Sequence, residues 1–241
     1  MGNTPARARA KETLWRLLAL ALAHPAPEFH AALARGDYHA AFADAWSRLT
    51  GRAWRDPGHA PSFEAFEAGF ISAFLHGRAG KPVAALLAGD HEHVLGGLTR
   101  PVFMLNLIQV YKHFGLKVAT ADEGHQDEPD HLASMIEFMA VLCHLEARAL
   151  EGGKDPSPYR RAQRDFLCRF LAPSLETVAG LLRRSPVPAL DQTVFQAIQD
   201  MAAWGRTQVT ELEARVGPYR DPDAPVNRTR PEESATQNLW G

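Results

Sequence analysis

The residues whose types and spacing could do chemistry lie in one short stretch near the middle of the chain. Glu128, Asp130 and His131 are close neighbours, and Glu137 follows a few positions later. A helix predicted to start at Pro129 puts Asp130 and His131 in its first turn, where free backbone N–H groups favour a carboxylate. Glu137 projects from nearly the same side of that helix. The sequence therefore predicts an acidic patch at a helix start.

This stretch allows a structural, a catalytic and a binding interpretation. Glu128 and Asp130 could be ordinary helix-start acids, with Glu137 a solvated surface charge. A catalytic Asp130–His131 dyad would need a Ser or Cys nucleophile, and the sequence places none beside it. The GxxxxGK[ST], GxGxxG, GxSxG and HExxH motifs are also absent. We therefore predict no catalytic residue and keep the dyad only as an alternative.

A metal site is not predicted either. His91 and His93 form an HxH pair, but zinc needs three or four converging ligands. Other histidines that could join the pair are His76, His125 and His131. With 11 histidines in the chain, such pairs arise readily by chance. Cys143 and Cys168 have no CxxC or zinc-type spacing, so we expect two free cysteines that behave as small apolar side chains.

Composition predicts an all-α protein. The 241 residues are 46% hydrophobic and 22% charged, which is ordinary for a globular domain. Alanine and leucine far outnumber valine and isoleucine, and this balance favours helix over strand. A formal net charge of −2 gives no basic field that would recruit nucleic acid. We expect one helical bundle of about 8 to 11 helices with a C-terminal hairpin subdomain.

Apolar periodicity and breaker residues give the individual elements. The predicted helices are 8–23, 27–36, 37–51, 63–76, 83–88, 98–114, 129–151, 159–184 (with a break expected at Pro173) and 188–216. The helix over 63–76 carries Phe63, Phe66, Phe70 and Phe74 at spacings of three and four, on one face. We assign 1–216 to the domain, with a hinge near 152–158. The proline-rich stretch 217–241 is predicted to be a flexible tail.

The N-terminus could be mistaken for a secretory signal, because basic residues precede an apolar run over 14–23. Arg16 interrupts that run and Glu12 stands just before it, so an amphipathic first helix explains the pattern better. No stretch approaches 18 uninterrupted apolar residues, so no membrane span is expected. These features predict a cytoplasmic protein without stable membrane insertion.

One block of the sequence resembles the TorD/DmsD/NarJ family of redox-enzyme maturation chaperones. Its segments are YKHFGL at 111–116, EPDHL at 128–132 and EFM at 137–139, joined by an acidic loop. Weaker similarity covers most of residues 10–205, but only this block is specific. The sequence departs from the family after the aromatic helix, where His76-Gly77 stands in place of a Gly-Pro. Position 135 holds Met, as it does in some nitrate-reductase-type members of the family. This resemblance suggests a client such as dimethylsulfide or ethylbenzene dehydrogenase.

The resemblance implies an all-helical chaperone without enzymatic turnover or a cofactor of its own. Members bind the twin-arginine leader of a molybdopterin enzyme's catalytic subunit and hold that precursor while its cofactor is inserted. Proteins of molybdenum-cofactor biosynthesis are further expected partners, and members occur as monomers or domain-swapped dimers. The alternatives are an accessory subunit that stays in the finished enzyme complex and a small helical enzyme that uses Asp130 and His131.

A leader of this kind requires carboxylates for its arginines and an apolar groove for its hydrophobic stretch. The sequence places five carboxylates between Asp122 and Asp130. The residues predicted to bind the leader are Asp127, Glu128, Asp130, His131, Glu137, Tyr111, Phe70 and Phe74. For the aromatic side chains the alternative is ordinary core packing, and for the acidic loop it is a solvated turn.

Overall fold

The computed structural model of the protein describes residues 4–55, 58, 61–77, 80–116 and 128–221. Within these residues the chain is helical, and the prediction of an all-α fold is confirmed. The helices are α1 (Pro5–Leu22), α2 (Pro27–Ala34), α3 (Asp37–Thr50), α4 (Phe63–Phe74), α5 (Arg100–His113), α6 (Leu132–Glu151), α7 (Ser157–Phe166), α8 (Ala172–Arg184) and α9 (Gln192–Val216). Two 3-10 turns, Ala88–Asp90 and Glu92–Leu95, precede α5.

Side-chain caps explain where several helices begin. The hydroxyl of Thr4 accepts a hydrogen bond from the Arg7 N–H at 3.3 Å, and Pro5 is preorganised for the first helical position. The first helix therefore starts at Pro5, earlier than the predicted residue 8. The hydroxyl of Ser62 caps α4 through a bond that it accepts from the Ala65 N–H at 3.3 Å.

The centre of the core is the long contact between α1 and α6, which pack on each other more extensively than any other pair of described helices. Leu14 and Leu18 of α1 and Ile136 and Met139 of α6 are fully shielded from solvent. Apolar side chains at helical spacing form this buried face of α6. Its burial fixes which sides of α6 remain for a functional surface.

The expected break at Pro173 does not occur. A π-helical turn over Leu167–Leu171 joins α7 to α8 without a loop, and the Ala172 N–H bonds to the Leu167 carbonyl. Proline lacks an N–H and cannot continue the ordinary bonding pattern. The wider turn just before Pro173 accommodates it, so the two helices form one continuous run.

The prediction of a helix over 83–88 is wrong. The helix α6 begins at Leu132, later than the predicted residue 129. The Leu86 carbonyl accepts from the Leu132 N–H at 2.8 Å, and the Ala88 N–H donates to the Asp130 carbonyl at 2.9 Å. These hydrogen bonds join two segments of the chain that are distant in sequence. They use backbone groups that a helix would need for itself. His131 becomes the N-cap of α6, so Asp130 lies before the first turn and not within it.

A buried ion cluster ties α1, α6 and α7 together. The Glu146 carboxylate binds the Lys11 ammonium, accepts from Arg160 Nε at 2.8 Å and accepts from Gln163 Nε2 at 3.0 Å. Lys11, Glu146 and Arg160 are all buried. Burial alone would raise the pKa of Glu146, but Lys11, Gln163 and Arg160 outweigh burial and lower it.

The remaining structural predictions concern the ends and the cysteines. Among the described helices, none has both the length and the apolar character that crossing a membrane requires. Cys143 is buried and Cys168 half-buried, and both are free; burial raises the pKa of the Cys143 thiol to about 12. The division at 216 and the hinge near 152–158 stay predictions, and residues 222–241 of the predicted tail lie outside the described residues.

Candidate functional site

Asp130 is an internal anchor of the fold. Its side chain is fully buried, and Oδ2 accepts a hydrogen bond from the Gly89 N–H at 2.9 Å. A Cβ added to Gly89 would lie 2.7 Å from Asp130 Oδ2 and 2.5 Å from Arg100 Nε. Only glycine therefore allows this close approach. Asp130 therefore supports the start of α6 from inside, and the partly exposed Arg100 lies 3.6 Å from it.

Tyr111 holds the same segment from the other side. Its hydroxyl donates to the Pro129 carbonyl at 2.9 Å, and its ring lies 4.8 Å from that of Phe138 between centroids. Burial, with further contributions from Asp130 and Glu137, raises the pKa of Tyr111, so the phenol remains a donor. The spacing of Tyr111 from Asp130 thus reflects a contact that positions the segment before α6.

His131 has a structural task at the helix start. Its Nδ1 accepts from the Ala133 N–H at 3.2 Å, which satisfies one of the free donors of the first turn. An accepting Nδ1 places the proton of the neutral ring on Nε2. The ring is only half-buried, so it combines this role with exposure to the surface.

Three carboxylates surround one arginine beside this segment. The guanidinium of Arg100 lies 3.4 Å from Asp90, 3.2 Å from Glu128 and 3.6 Å from Asp130, measured between nitrogen and oxygen. The Asp90 and Glu128 side chains are 42% and 47% exposed, whereas that of Asp130 has no exposure. We call Asp90, Glu128 and Asp130 the carboxylate cluster. It faces solvent with two of its three members.

A groove of about 680 Å³ opens between the end of α4, the segment over 82–90 and the start of α6. It is lined by both apolar and charged residues. Its apolar residues include Phe74, Leu75, Pro82, Leu86 and Leu87. Its acidic residues are Asp90, Glu128 and Glu137, and its histidines are His24, His76 and His131.

A second groove, between α5 and α7, has the opposite character. Its volume is about 710 Å³, and Arg161, Arg169 and Arg220 line it with Asp165 as the one acid among its described residues. Three guanidinium groups repel a further cation. Of the two grooves, the one beside α4 is therefore suited to a cationic segment with an apolar neighbour.

The predicted site residues divide into those that line the groove and those that support it. Glu128, His131, Glu137 and Phe74 line the acidic groove together. Phe74 is nevertheless buried, as is Phe70, and their ring centroids lie 4.9 Å apart. Asp130 and Tyr111 hold the start of α6 in place, as described above. Asp127 lies outside the described residues.

Sequence reasoning missed Asp90 and Arg100. Arg100 is the first residue of α5, where the positive end of the helix disfavours a cation. A cation in that position signals carboxylate partners, and this was a usable clue. His91 and His93 do not converge on a metal: His91 Nε2 lies 2.9 Å from the Ala85 carbonyl and His93 Nε2 lies 2.8 Å from Thr177 Oγ1. Within the described ranges, no group of three or more His, Cys, Asp and Glu could hold a metal ion.

Comparison with known proteins gives consistent relatives. The dimethyl sulfide dehydrogenase assembly chaperone protein of Rhodovulum sulfidophilum is 51% identical over 236 residues, which cover 98% of this chain and 94% of the relative. The perchlorate reductase assembly chaperone protein of Dechloromonas aromatica (strain RCB) is 34% identical, over 80% of this chain and 85% of the relative.

A third relative, the selenate reductase assembly chaperone protein of Thauera selenatis, is 40% identical over 54% of this chain and 63% of its own length. No solved structure is similar enough to extend the comparison. The family model described as "Nitrate reductase delta subunit" matches residues 35–179. The resemblance seen in the 111–139 block is thereby confirmed, and the chain belongs to the nitrate reductase delta subunit family, within the TorD/DmsD/NarJ group.

Proposed function

We propose that this chain is an assembly chaperone for the catalytic subunit of a molybdopterin-containing oxidoreductase, and that the acidic groove binds that subunit's twin-arginine leader. The observation that carries the proposal is the 51% identity, over nearly the whole chain, to a dimethyl sulfide dehydrogenase assembly chaperone. The same similarity makes a dimethyl-sulfide-dehydrogenase-like enzyme the favoured client. The chaperone itself performs no turnover.

The groove supplies both kinds of contact that such a leader needs. Glu128 and Glu137 in its lining can form charge-assisted hydrogen bonds with guanidinium groups. Among its apolar residues Leu75 is 42% exposed, whereas Phe74 is buried. Covering this surface with the hydrophobic stretch of a leader removes apolar area from water and so favours binding. The sign of its charges supports this groove over the basic one.

The proposed place of action is the cytoplasm. A leader is intact only on a subunit that has not yet been exported, so the protein that holds it acts before export. The molybdenum cofactor belongs to the client, which the chaperone holds until insertion is complete. Partnership with molybdenum-cofactor biosynthesis proteins and the choice between a monomer and a domain-swapped dimer stay predictions.

A retained accessory subunit is the second candidate, because the matching family is described as a subunit. The two functions differ in what copurifies from the native host. An assembly chaperone is recovered with the leader-bearing precursor and is absent from the mature, cofactor-loaded enzyme. Stoichiometric presence in the mature enzyme complex would establish the accessory subunit and contradict the chaperone.

Neutralising the two exposed acids of the groove is expected to weaken leader binding. In the double variant Glu128→Gln and Glu137→Gln, the leader loses two charge-assisted hydrogen bonds, and its affinity should fall about 10-fold. The measurement is isothermal titration calorimetry with a synthetic peptide that has two adjacent arginines followed by roughly ten apolar residues. Added salt should reduce the difference between variant and wild type, because exposed charges are screened.

The matched control removes the same number of charges elsewhere. Asp44 and Glu176 are acids on α3 and α8, each in an ion pair with an exposed arginine. The double variant Asp44→Asn and Glu176→Gln should bind the peptide as the wild type does. Equal affinities for both double variants would remove the acidic groove from the proposed function.

A further inference from the structure

Arg100 is held less closely by its carboxylates than other arginines of this chain. Its nitrogen–oxygen distances to the carboxylate cluster are 3.2 Å, 3.4 Å and 3.6 Å. By comparison, Arg7 lies 2.8 Å from Glu211, and Arg160 lies 2.8 Å from Glu146. Charge-assisted hydrogen bonds are normally close to the shorter value. Arg100 therefore binds the cluster through two long hydrogen bonds, to Asp90 and Glu128.

The cluster also has unused acceptor capacity in its interior. Asp130 Oδ1 is buried, and no donor among the described residues reaches it. A buried carboxylate oxygen without a donor is unfavourable, since it has lost its water and gained no partner. Oδ2 of the same residue is served by the Gly89 N–H. Asp130 Oδ1 can therefore still accept a hydrogen bond from an N–H donor.

The charges of the cluster are likewise only partly balanced. Within the described part of the chain, Arg100 is the one cation whose charged group lies within 4.0 Å of Asp90, Glu128 or Asp130. One guanidinium against three carboxylates leaves an excess of negative charge at the edge of the acidic groove. Such an excess attracts a further cation, and a planar group with several N–H donors suits the spread of these oxygens best.

We propose that the carboxylate cluster is a guanidinium-binding site, which Arg100 occupies in the free chaperone and which an arginine of the bound leader takes over. The inference rests on the proposed function and adds the residues that receive the arginine. Arg100 is 38% exposed at the start of α5, so its side chain can turn outward to solvent when it is replaced. Gly89 leaves the space in which either guanidinium lies against Asp130.

Competition by an internal arginine has a measurable consequence. The apparent affinity of a site is reduced by the fraction of time for which the site is already filled. Removing Arg100 should therefore strengthen leader binding, whereas removing a residue that contacts the leader would weaken it. Because a guanidinium can bridge several carboxylates and an ammonium cannot, the site should prefer arginine to lysine.

The test is calorimetric titration of the full-length chain with the twin-arginine peptide described above and with its twin-lysine counterpart. Arg100→Gln should bind the twin-arginine peptide about 5- to 10-fold more tightly than wild type and should keep its preference over twin-lysine. The control, Arg48→Gln, removes an exposed arginine paired with Asp44 on α3 and should leave both affinities unchanged. Arg100→Lys keeps the charge and should give a smaller gain.

The outcomes separate this inference from the proposed function. If the wild type binds no twin-arginine peptide, the groove is not a leader site and both ideas are wrong. If the wild type binds and Arg100→Gln binds equally or less tightly, only the competition by Arg100 is wrong. Should Arg100→Gln fail to fold, Arg100→Lys decides: a gain in affinity supports the inference, and no gain contradicts it.

Discussion

Glu146→Gln is expected to lower the free energy of unfolding by about 3–5 kcal/mol, because it leaves two buried cations without a counter-charge. The side chain of Glu146 is 4% exposed, and those of Lys11 and Arg160 are 9% and 7% exposed. None of the three can regain full hydration while the helices stay packed. Urea unfolding monitored by circular dichroism measures the loss.

A second glutamate on α6 provides the control. Glu151 pairs with Arg9 at 3.0 Å, but its side chain is 43% exposed. Glu151→Gln should therefore cost less than about 1 kcal/mol, since water replaces the lost partner. Equal small losses of unfolding free energy in the two variants would contradict this prediction. Burial would then not make the loss of Glu146 costlier than the loss of Glu151.

The same cluster predicts a pH dependence. Since the pKa of folded Glu146 is lowered from the ordinary value of 4.5, its ionised form is stabilised by folding. This contribution is complete above the ordinary pKa and is lost as the pH falls through the lowered one. The stability gap between wild type and Glu146→Gln should therefore be constant near neutral pH and shrink in acid.

The helices themselves were largely predictable from sequence, because their signals are local. Ser62 is a typical N-cap residue directly before α4. Ile136 and Met139 are apolar residues at helical spacing, and they lie on the buried face of α6. Errors arose where partners distant in sequence compete for backbone groups. The segment over 83–88 has helical composition, but its carbonyl and N–H groups bond to the segment before α6. No local pattern contains that information.

The proximity of several candidate site residues was predictable from the sequence, but their arrangement was not. Glu128, His131 and Glu137 do share one groove, as their spacing indicated. The sequence could not show that Asp130 faces inward, because its burial depends on Gly89 and Arg100, which come from a different stretch of chain. The partnership of Lys11 with Glu146 joins residues far apart and was equally hidden.

Gly69→Ala is expected to destabilise the protein by about 3 kcal/mol, the upper part of the usual range for overpacking a core. A Cβ at Gly69 would lie 1.9 Å from the carbonyl oxygen of Ala189 and 2.4 Å from its carbonyl carbon. These are backbone atoms, so no side chain can turn away to relieve the clash. Either α4 or the segment before α9 must move, and thermal and urea unfolding will report the cost.

Gly205→Ala is the matched change in the same chain. A Cβ there meets no atom within 4 Å, and Gly205 lies inside α9. Alanine should raise stability by about 0.5–1 kcal/mol, because it restricts the unfolded chain and favours helix. If both variants lost stability equally, close helix approach at Gly69 would not be the cause.

The Gly69 clash should also reach the groove. Phe70 and Phe74 follow Gly69 on α4, and Phe74 lines the acidic groove together with Glu128. A shift of α4 away from Ala189 moves Phe74 relative to the start of α6, which is held separately by Gly89 and Tyr111. Gly69→Ala should therefore weaken leader binding even at temperatures where it remains folded. Gly205→Ala, which changes stability without touching α4, should bind the leader as the wild type does.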